Sequence, residues 1–119
     1  MKVSVVIPCY NEEEVLPLSH KRFSQVMSST PYDYELIFVN DGSKDRTEEL
    51  LLGFAQNDPH TKVLSFSRNF GHQNAVSAGL HNCTGDVAII IDVDLQDPPE
   101  VIPQMIETHL REGSNVVYA

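Results

Sequence analysis

The 119-residue chain carries 17 acidic and 8 basic side chains, which gives a formal net charge of −9 with its histidines neutral. Nucleic acid is excluded as the expected partner, because binding a phosphate backbone requires a basic face. The hydrophobic fraction of 41% suits one globular domain, and no apolar run approaches the ~20 residues that span a bilayer. Cys9 and Cys83 lack the spacing of a disulfide framework or zinc site. We therefore expect a soluble, cytoplasmic chain with free thiols.

Runs of apolar, mostly β-branched residues alternate with amphipathic segments along the whole chain. The predicted elements, in chain order, are strand 3–7, helix 12–27, strand 35–39, helix 46–56, strand 63–66, helix 71–82, strand 87–91, helix 98–110 and strand 115–119. The first strand is expected to stop at Pro8. Small residues between 75 and 79 predict that the third helix packs closely on the sheet.

Three of the four predicted helices carry capping signals. Asn11 is the expected N-cap of the first helix. Asp45 is that of the second, where Glu48 completes a capping box. Asp97 is the expected cap of the fourth, with Pro98 at its first helical position. A buried stripe along the fourth helix is predicted to run from residue 101 to residue 110.

Strands that alternate with helices predict an α/β fold: a mostly parallel sheet with helices on both faces. In such sheets, ligands bind beyond the carboxyl ends of the strands. Four polar clusters follow strands at that edge: 8–12, 40–43, 67–69 and 92–97. One shared site explains these clusters better than four independent solvated loops do.

The most polar of these clusters, Asp92-Val93-Asp94-Leu95-Gln96-Asp97, directly follows a buried strand. Its carboxylate and amide oxygens suit a hard divalent cation, Mg²⁺ or Mn²⁺. Mg²⁺ usually takes one or two carboxylates from the protein and fills its other positions with water and phosphate. The simpler alternative is that Asp92 and Asp94 are solvated loop residues and that Asp97 is only a helix cap.

Three segments together resemble the nucleotide-sugar-binding half of a family 2 glycosyltransferase of the GT-A fold: VVIPCYNE at 5–12, VNDGSKD at 39–45 and DVDLQD at 92–97. The resemblance covers essentially the whole chain and implies a Rossmann-like domain at 1–119. SRNFGHQ at 67–73 is further similar to the polyprenyl-phosphate glycosyltransferases, such as bactoprenol glucosyltransferases and dolichyl-phosphate mannose synthases. Such enzymes move a sugar from a nucleotide diphosphate sugar to a lipid phosphate. The resemblance implies a UDP-sugar donor, with UDP-glucose as the first guess, and inversion at the anomeric carbon.

The same resemblance implies roles for single residues. The implied nucleotide-binding residues are Pro8, Tyr10, Asn11, Glu12, Asp41, Arg68 and Asp92. Within this group, Asp41 matches the acid that holds the base, and Arg68 faces the diphosphate. Asp92 matches the position nearest the ribose or sugar, while Asp94 and Gln96 match the metal ligands. Asp92 and Asp94 are therefore the implied catalytic residues.

Several of these roles have plainer alternatives that the sequence leaves open. Tyr10 can pack at a pocket rim, Asp41 can serve only its own turn, and Gln96 can be merely polar. His72, at a helix start, can contact a phosphate or make a local hydrogen bond. The other histidines show no ligand spacing and are expected to be structural or exposed.

Members of the resembling family are usually longer than this chain. We therefore expect the domain at 1–119 to be truncated at its C-terminal end, and the parent protein to lie at the cytoplasmic face of a membrane. An exposed sheet edge can drive self-association, so a homo-oligomer is a further possibility.

The rival interpretation is a GT-A-like binding or interaction domain without transfer activity. Neither G-x-G-x-x-G nor G-x-x-x-x-G-K-[ST] is present, which argues against a dinucleotide-binding oxidoreductase and a P-loop hydrolase.

Overall fold

The computed structural model describes residues 1–113 and 116–118. Within them, strands and helices alternate as predicted. The elements are β1 (Lys2–Cys9), α1 (Leu16–Ser28), β2 (Asp33–Asn40), α2 (Thr47–Asn57), β3 (Thr61–Ser65), α3 (His72–Asn82), β4 (Val87–Ile90), a 3₁₀ turn (Pro99–Val101), α4 (Ile102–Glu112) and β5 (Val116–Tyr118). The ends of β2, β3 and β4 agree with the prediction to within two residues. The predicted ends of the fifth strand, residues 115 and 119, lie outside the described residues.

The strands form one parallel sheet in the order β3-β2-β1-β4-β5. β1 pairs with β2 along its whole length, from Lys2 opposite Asp33 to Cys9 opposite Asn40. The chain therefore winds outward from β1 to β3 and then returns to place β4 on the other side of β1. Ligands of such sheets bind at this switch point, between the carboxyl ends of the two strands where the winding direction changes. The predicted α/β fold with a mostly parallel sheet is confirmed.

Helices cover both faces of the sheet, also as predicted. On one face, α1, α2 and α4 contribute the fully buried Phe23, Leu51 and Ile106 to the larger core. On the other face, α3 packs Ala75 against a smaller core. Gly79 shows how close this helix lies, because a Cβ atom there would be only 2.4 Å from Cγ1 of Val6. Of the helices in the part of the chain that the structure describes, none has the length and apolar character needed to cross a membrane.

The prediction that the first strand stops at Pro8 is wrong. β1 continues to Cys9, and Pro8 lies opposite Val39. The carbonyl of Val6 accepts a hydrogen bond from Ile91 on the β4 side. Because strand residues alternate in direction, Pro8 faces that same side, beyond the end of β4. Its missing N–H therefore breaks no ladder bond, and a proline is tolerated there.

All three predicted helix caps are also wrong, and prolines explain two of them. α1 begins at Leu16 rather than at residue 12, with Pro17 in its first turn. A helix that began at residue 12 would place Pro17 in its interior, where proline lacks a donor and clashes with the preceding turn. Pro98 is extended because it precedes Pro99, so the chain forms a 3₁₀ turn and α4 begins only at Ile102.

The second predicted cap, Asp45, lies just before the helix that it was expected to cap. α2 begins at Thr47, and Arg46 takes the N-cap position without a side-chain hydrogen bond. Asp45 Oδ1 accepts the Thr47 N–H at 2.9 Å, so the side chain still satisfies one free amide of the first turn.

The stripe predicted along the fourth helix is buried at Ile102, Ile106 and His109. Leu110 does not belong to it, since half of this side chain is exposed. At 100° per residue, Leu110 lies roughly 80° around the helix from Ile102, outside the face that meets the sheet.

Candidate functional site

A pocket of 320 Å³ lies at the switch point of the sheet. The ends of β1, β2 and β4 and the start of α3 supply its walls. Its lining residues are Pro8, Cys9, Tyr10, Glu12, Asp41, Asn69, Gly71, His72, Ala75, Asp92, Val93 and Asp94. The volume falls at the lower end of the ~300–1,000 Å³ of small-molecule sites. The predicted convergence of four polar clusters on one sheet edge is therefore observed.

Six of the nine residues predicted to form the site line this pocket: Pro8, Tyr10, Glu12, Asp41, Asp92 and Asp94. Asn11, Arg68 and Gln96 are not among its lining residues. Arg68 places its guanidinium 4.5 Å above the ring centre of Phe70, and Gln96 is exposed. The roles of all nine residues stay predictions, since geometry alone assigns none of them to a ligand.

Asn11 joins two loops of the site instead of capping a helix. Its backbone N–H donates to Ser43 Oγ at 2.9 Å, and its side-chain Oδ1 accepts the Lys44 N–H at 2.8 Å. The next residue, Glu12, donates its N–H to the buried Thr47 Oγ1 at 2.9 Å. Asn11 adopts φ +51°, a left-handed conformation that asparagine tolerates better than most residues. These bonds clasp the β1–α1 loop to the β2–α2 loop and so hold Glu12 at the pocket.

Asp41 is buried, and its carboxylate is held by the loop before α3. Oδ1 accepts the Phe70 N–H at 2.8 Å, and Oδ2 accepts the Gly71 N–H at 3.1 Å. The side chain of Asn69 adds a third bond, to Oδ2, at 3.2 Å. A carboxylate suits this position, because the free amides at a helix N-terminus favour negative charge. The alternative that Asp41 serves only its own turn does not describe these contacts.

Three carboxylates, those of Glu12, Asp92 and Asp94, line the pocket. None of the ion pairs among residues 1–113 and 116–118 involves any of them. Burial raises the pKa of Glu12, and the negative charges of Asp94, Asp45 and Asp92 raise it further. The site therefore carries uncompensated negative charge, which a bound cation would neutralise.

The carboxylates do not form a ready-made metal cage. In the described part of the chain, no three His, Cys, Asp or Glu side chains are grouped so that they could hold a metal ion. This arrangement still fits Mg²⁺ or Mn²⁺, since Mg²⁺ sites commonly use one or two carboxylates and complete their shell with water and substrate phosphate. Asp94 also accepts the Gln96 N–H at 3.2 Å, which turns the loop back on itself. Leu95 between them has φ +65°, an uncommon conformation for leucine.

Cys9 lines the pocket, but it is a poor candidate for a nucleophile. Burial raises the pKa of its thiol, and the charge of Glu12 raises it further. Because the thiolate is the reactive form of cysteine, this side chain is inert at neutral pH.

Thr47 and Ser19 form hydrogen bonds to the backbone of pocket residues, and the sequence predicted no functional role for either of them. Thr47 binds the backbone of Glu12, as described above. Ser19 in α1 donates its hydroxyl to the backbone carbonyl of Val93 at 2.6 Å. The available signal was a polar residue on an otherwise apolar helix face, between Val15 and Phe23.

A parallel sheet in the order β3-β2-β1-β4-β5, with an acidic crevice at its switch point, defines a doubly wound α/β domain whose crevice lies where such folds bind their ligands. Comparison with known families agrees with that class. The family described as Glycosyl transferase family 2 matches residues 4–119. The chain belongs to this family.

Individual relatives refine the comparison. All 119 residues align at 50% identity with 36% of a Bacillus subtilis (strain 168) protein named uncharacterized glycosyltransferase YkcC. They align at 49% identity with 39% of the bactoprenol glucosyl transferase of Shigella phage SfX. The fold matches glucosyl-3-phosphoglycerate synthase from Mycobacterium tuberculosis, solved with Mn²⁺, UDP and glucosyl-3-phosphoglycerate. That match has a TM-score of 0.67 and 25% identity and covers 92% of this chain and 39% of the synthase. The chain thus spans less than two fifths of each protein.

Proposed function

We propose that this chain is the donor-binding domain of a glycosyltransferase that moves a sugar from a UDP-sugar to a polyprenyl phosphate. The observation that carries the proposal is the acidic pocket at the switch point of a family 2 domain, where Glu12, Asp92 and Asp94 form no ion pair with any described residue. The relative named as a bactoprenol glucosyl transferase supports the lipid acceptor, and the synthase solved with UDP and Mn²⁺ supports the donor and the metal.

The uncompensated carboxylates fit Mg²⁺ or Mn²⁺. Asp94 and Gln96 would hold the cation, although the Gln96 side chain must turn inward to reach it. When bound, the metal supplies Lewis acidity that stabilises the negative charge on the departing nucleoside diphosphate. Asp92 would orient the ribose or sugar from the other end of the same loop.

The nucleotide would lie between the strand ends. Pro8 and Tyr10 would frame it on the β1 side, and Tyr10 has 43% of its surface free for such a contact. Asp41 would act at the base end. Because its carboxylate is already bonded to the loop before α3, it would serve by fixing that wall as well as by any direct contact. Arg68 lies over Phe70 and would have to leave this ring to reach a diphosphate.

The proposed acceptor needs little activation. A phosphate monoester has a second pKa near ~6, so its nucleophilic oxygen is largely ionised at neutral pH. No strong general base is then required, and attack from the face opposite the leaving group would invert the anomeric carbon. Glu12, whose pKa is raised, lies beside this reaction without a necessary proton-transfer role.

Substitution of Asp94 tests the metal-dependent part of the proposal. We expect Asp94→Ala to abolish the Mn²⁺-dependent gain in UDP affinity, measured by isothermal titration calorimetry with and without Mn²⁺. The matched control is Asp97→Ala, which removes a carboxylate from the same loop but outside the pocket lining. Wild-type metal dependence in Asp94→Ala would refute the assignment.

A second candidate function is a nucleotide-binding domain that does not transfer sugar by itself. The chain's coverage of only 36% and 39% of its relatives favours this possibility. Release of UDP from labelled UDP-glucose, with and without undecaprenyl phosphate and Mn²⁺, separates the two. UDP binding without acceptor-dependent release would assign this chain to the binding role alone.

A further inference from the structure

A helix outside the pocket is hydrogen-bonded to the loop that follows β4, residues 92–97, called the acidic loop below. Ser19 in α1 has no exposed surface, and its Oγ donates to the carbonyl oxygen of Val93 at 2.6 Å. Val93 is 2% exposed and separates Asp92 from Asp94. Ser19 thus contacts the one residue of the D-x-D segment that points into the protein.

The bond bears on the direction of both carboxylates. Val93 is buried at the start of a turn, whereas Asp92 and Asp94 on either side of it are exposed and line the pocket, so a contact that holds Val93 inward leaves both acids facing that pocket. Val93 belongs to the larger core, and its backbone carbonyl needs a donor there, because an unpaired buried backbone group is unfavourable. The short serine side chain has little freedom, and its helix is fixed in the core by Leu16 and Phe23.

The same face of α1 also contacts the 3₁₀ turn that follows the acidic loop. One helical turn after Ser19, Arg22 makes two hydrogen bonds to Glu100, from Nη2 at 2.5 Å and from Nε at 3.3 Å. α1 therefore contacts the chain on both sides of the turn at Leu95, where φ is +65°: at Val93 before it, and at Glu100 in the 3₁₀ turn after it. A left-handed leucine persists only where surrounding contacts determine it, and such residues cluster at functional sites.

We propose that Ser19 is a positioning residue for the D-x-D segment, whose hydroxyl keeps Asp92 and Asp94 directed into the pocket. Its contribution to metal-dependent nucleotide binding rests on the proposed function above, whereas its effect on the loop does not. Outer partners of metal ligands typically contribute 10- to 100-fold to metal affinity, and Ser19 acts one step further out, through the backbone.

The test compares two serine-to-alanine changes in the same helix. Ser19→Ala removes the bond to Val93. Ser24→Ala is the matched control, because Ser24 Oγ is buried without a hydrogen-bond partner among the described residues. Backbone ¹⁵N relaxation of the ligand-free chain is the first measurement. We expect order parameters at residues 92–96 to fall from rigid values near ~0.85 toward ~0.6 in Ser19→Ala only.

Calorimetry with UDP is the second measurement. Ser19→Ala should lose about 10-fold in the Mn²⁺-dependent part of UDP affinity and keep the Mn²⁺-independent part, whereas Ser24→Ala should match wild type. Ser19→Cys nearly keeps the volume of serine but has a weaker donor, so its Mn²⁺-dependent UDP affinity should lie between those of Ser19→Ala and Ser24→Ala. It also provides a variant to measure if Ser19→Ala fails to fold. Unchanged order parameters at 92–96 in Ser19→Ala and Ser19→Cys would overturn the inference. A wild-type chain that binds no UDP would overturn the proposed function instead, and the relaxation data would still decide the role of Ser19.

Discussion

The two edges of the sheet treat carboxylates in opposite ways. At the edge where the strands begin, Glu35 is 2% exposed and is surrounded by donors. At the edge where the strands end, Glu12, Asp92 and Asp94 face one another, and the ion pairs of the described residues leave them out. The difference separates two uses of the same chemical group. Compensated charge stabilises the fold, and uncompensated charge leaves a place for a cation.

Glu35 links the starts of three strands. Ser4 Oγ donates to it at 2.6 Å and accepts the Gly85 N–H at 2.8 Å, and Thr84 donates its N–H at 2.7 Å. Lys62 adds an ion pair from the edge strand. Burial alone would raise the pKa of Glu35, but the bonds from Lys62, Ser4 and Thr84 outweigh it and lower the pKa to about 2.

The largest effect is expected when the compensated edge is broken. Glu35→Ala should lower the free energy of unfolding by about 3–5 kcal/mol, because it removes a buried, ion-paired carboxylate and leaves the buried Ser4 hydroxyl and the partly buried Thr84 N–H without their acceptor. Urea denaturation measures this change. The control is Glu49→Ala, which removes an ion pair to Arg46 whose side chains are 70% and 68% exposed. That pair should contribute less than about 1 kcal/mol, and a similar loss in both variants would contradict the comparison.

Acid should remove the same stabilisation gradually. The folded-state pKa of Glu35 is about 2 and lies below its ordinary value of 4.5, so the stabilisation is present above pH ~4.5 and is lost as pH falls toward ~2. The shift corresponds to about 3 kcal/mol. Urea denaturation of wild type and Glu35→Gln at several pH values measures it. The gap between the two should narrow as pH falls, and a gap independent of pH would show that Glu35 is not ionised in the folded state.

The strands could be predicted from the sequence, whereas the starts of the helices could not. Strands were predictable because buried parallel strands are continuous apolar runs, and their alternation with helices fixed the fold class. Helix starts were not, since Asn11 and Asp97 look like caps locally. Their true environment depends on Pro17, Pro99 and contacts with other loops. At two of the three predicted starts, a proline determined where the helix begins, and the local capping residue did not.

Within the site, sequence position was predictable and bonding was not. The acids at 92–97 had to follow β4, and parallel strands had to bring them near Tyr10 and Asp41. The hydrogen bonds that build the site join residues far apart in sequence, such as Ser19 with Val93, separated by 74 positions, and Asp41 with Gly71, separated by 30. No periodicity or motif specifies such pairs, because they arise only when the elements pack.

Substitutions of Thr47 test whether its hydrogen bond to Glu12 holds that carboxylate near the other two acids. Its hydroxyl binds the Glu12 N–H and holds that carboxylate beside the others. Thr47→Val should lower the free energy of unfolding by about 1–2 kcal/mol, since it leaves a partly buried N–H unpaired while keeping the volume. Thr47→Ser keeps the hydroxyl and is the control, with a smaller expected loss. Equal destabilisation by both changes would assign the effect to packing. The hydrogen bond from the Glu12 N–H to the Thr47 hydroxyl would then not be what holds Glu12.

The smallest expected effect is a gain in the free energy of unfolding and not a loss. It separates the acidic site at the strand ends from the compensated Glu35 at the strand starts. Burial and the nearby charges of Asp94, Asp45 and Asp92 raise the pKa of Glu12. The folded chain therefore binds a proton there more tightly than the unfolded chain, and ionisation of Glu12 costs stability as pH rises past its unfolded value. Glu12→Gln should stabilise the metal-free chain at pH 7 by about 0.5 kcal/mol, a size that allows for solvent screening. Thermal unfolding should also show a smaller stabilisation by Mn²⁺ in this variant, because less negative charge remains for the cation to neutralise. A loss of metal-free stability in Glu12→Gln would mean that this carboxylate is compensated after all, and the contrast between the two edges would fail.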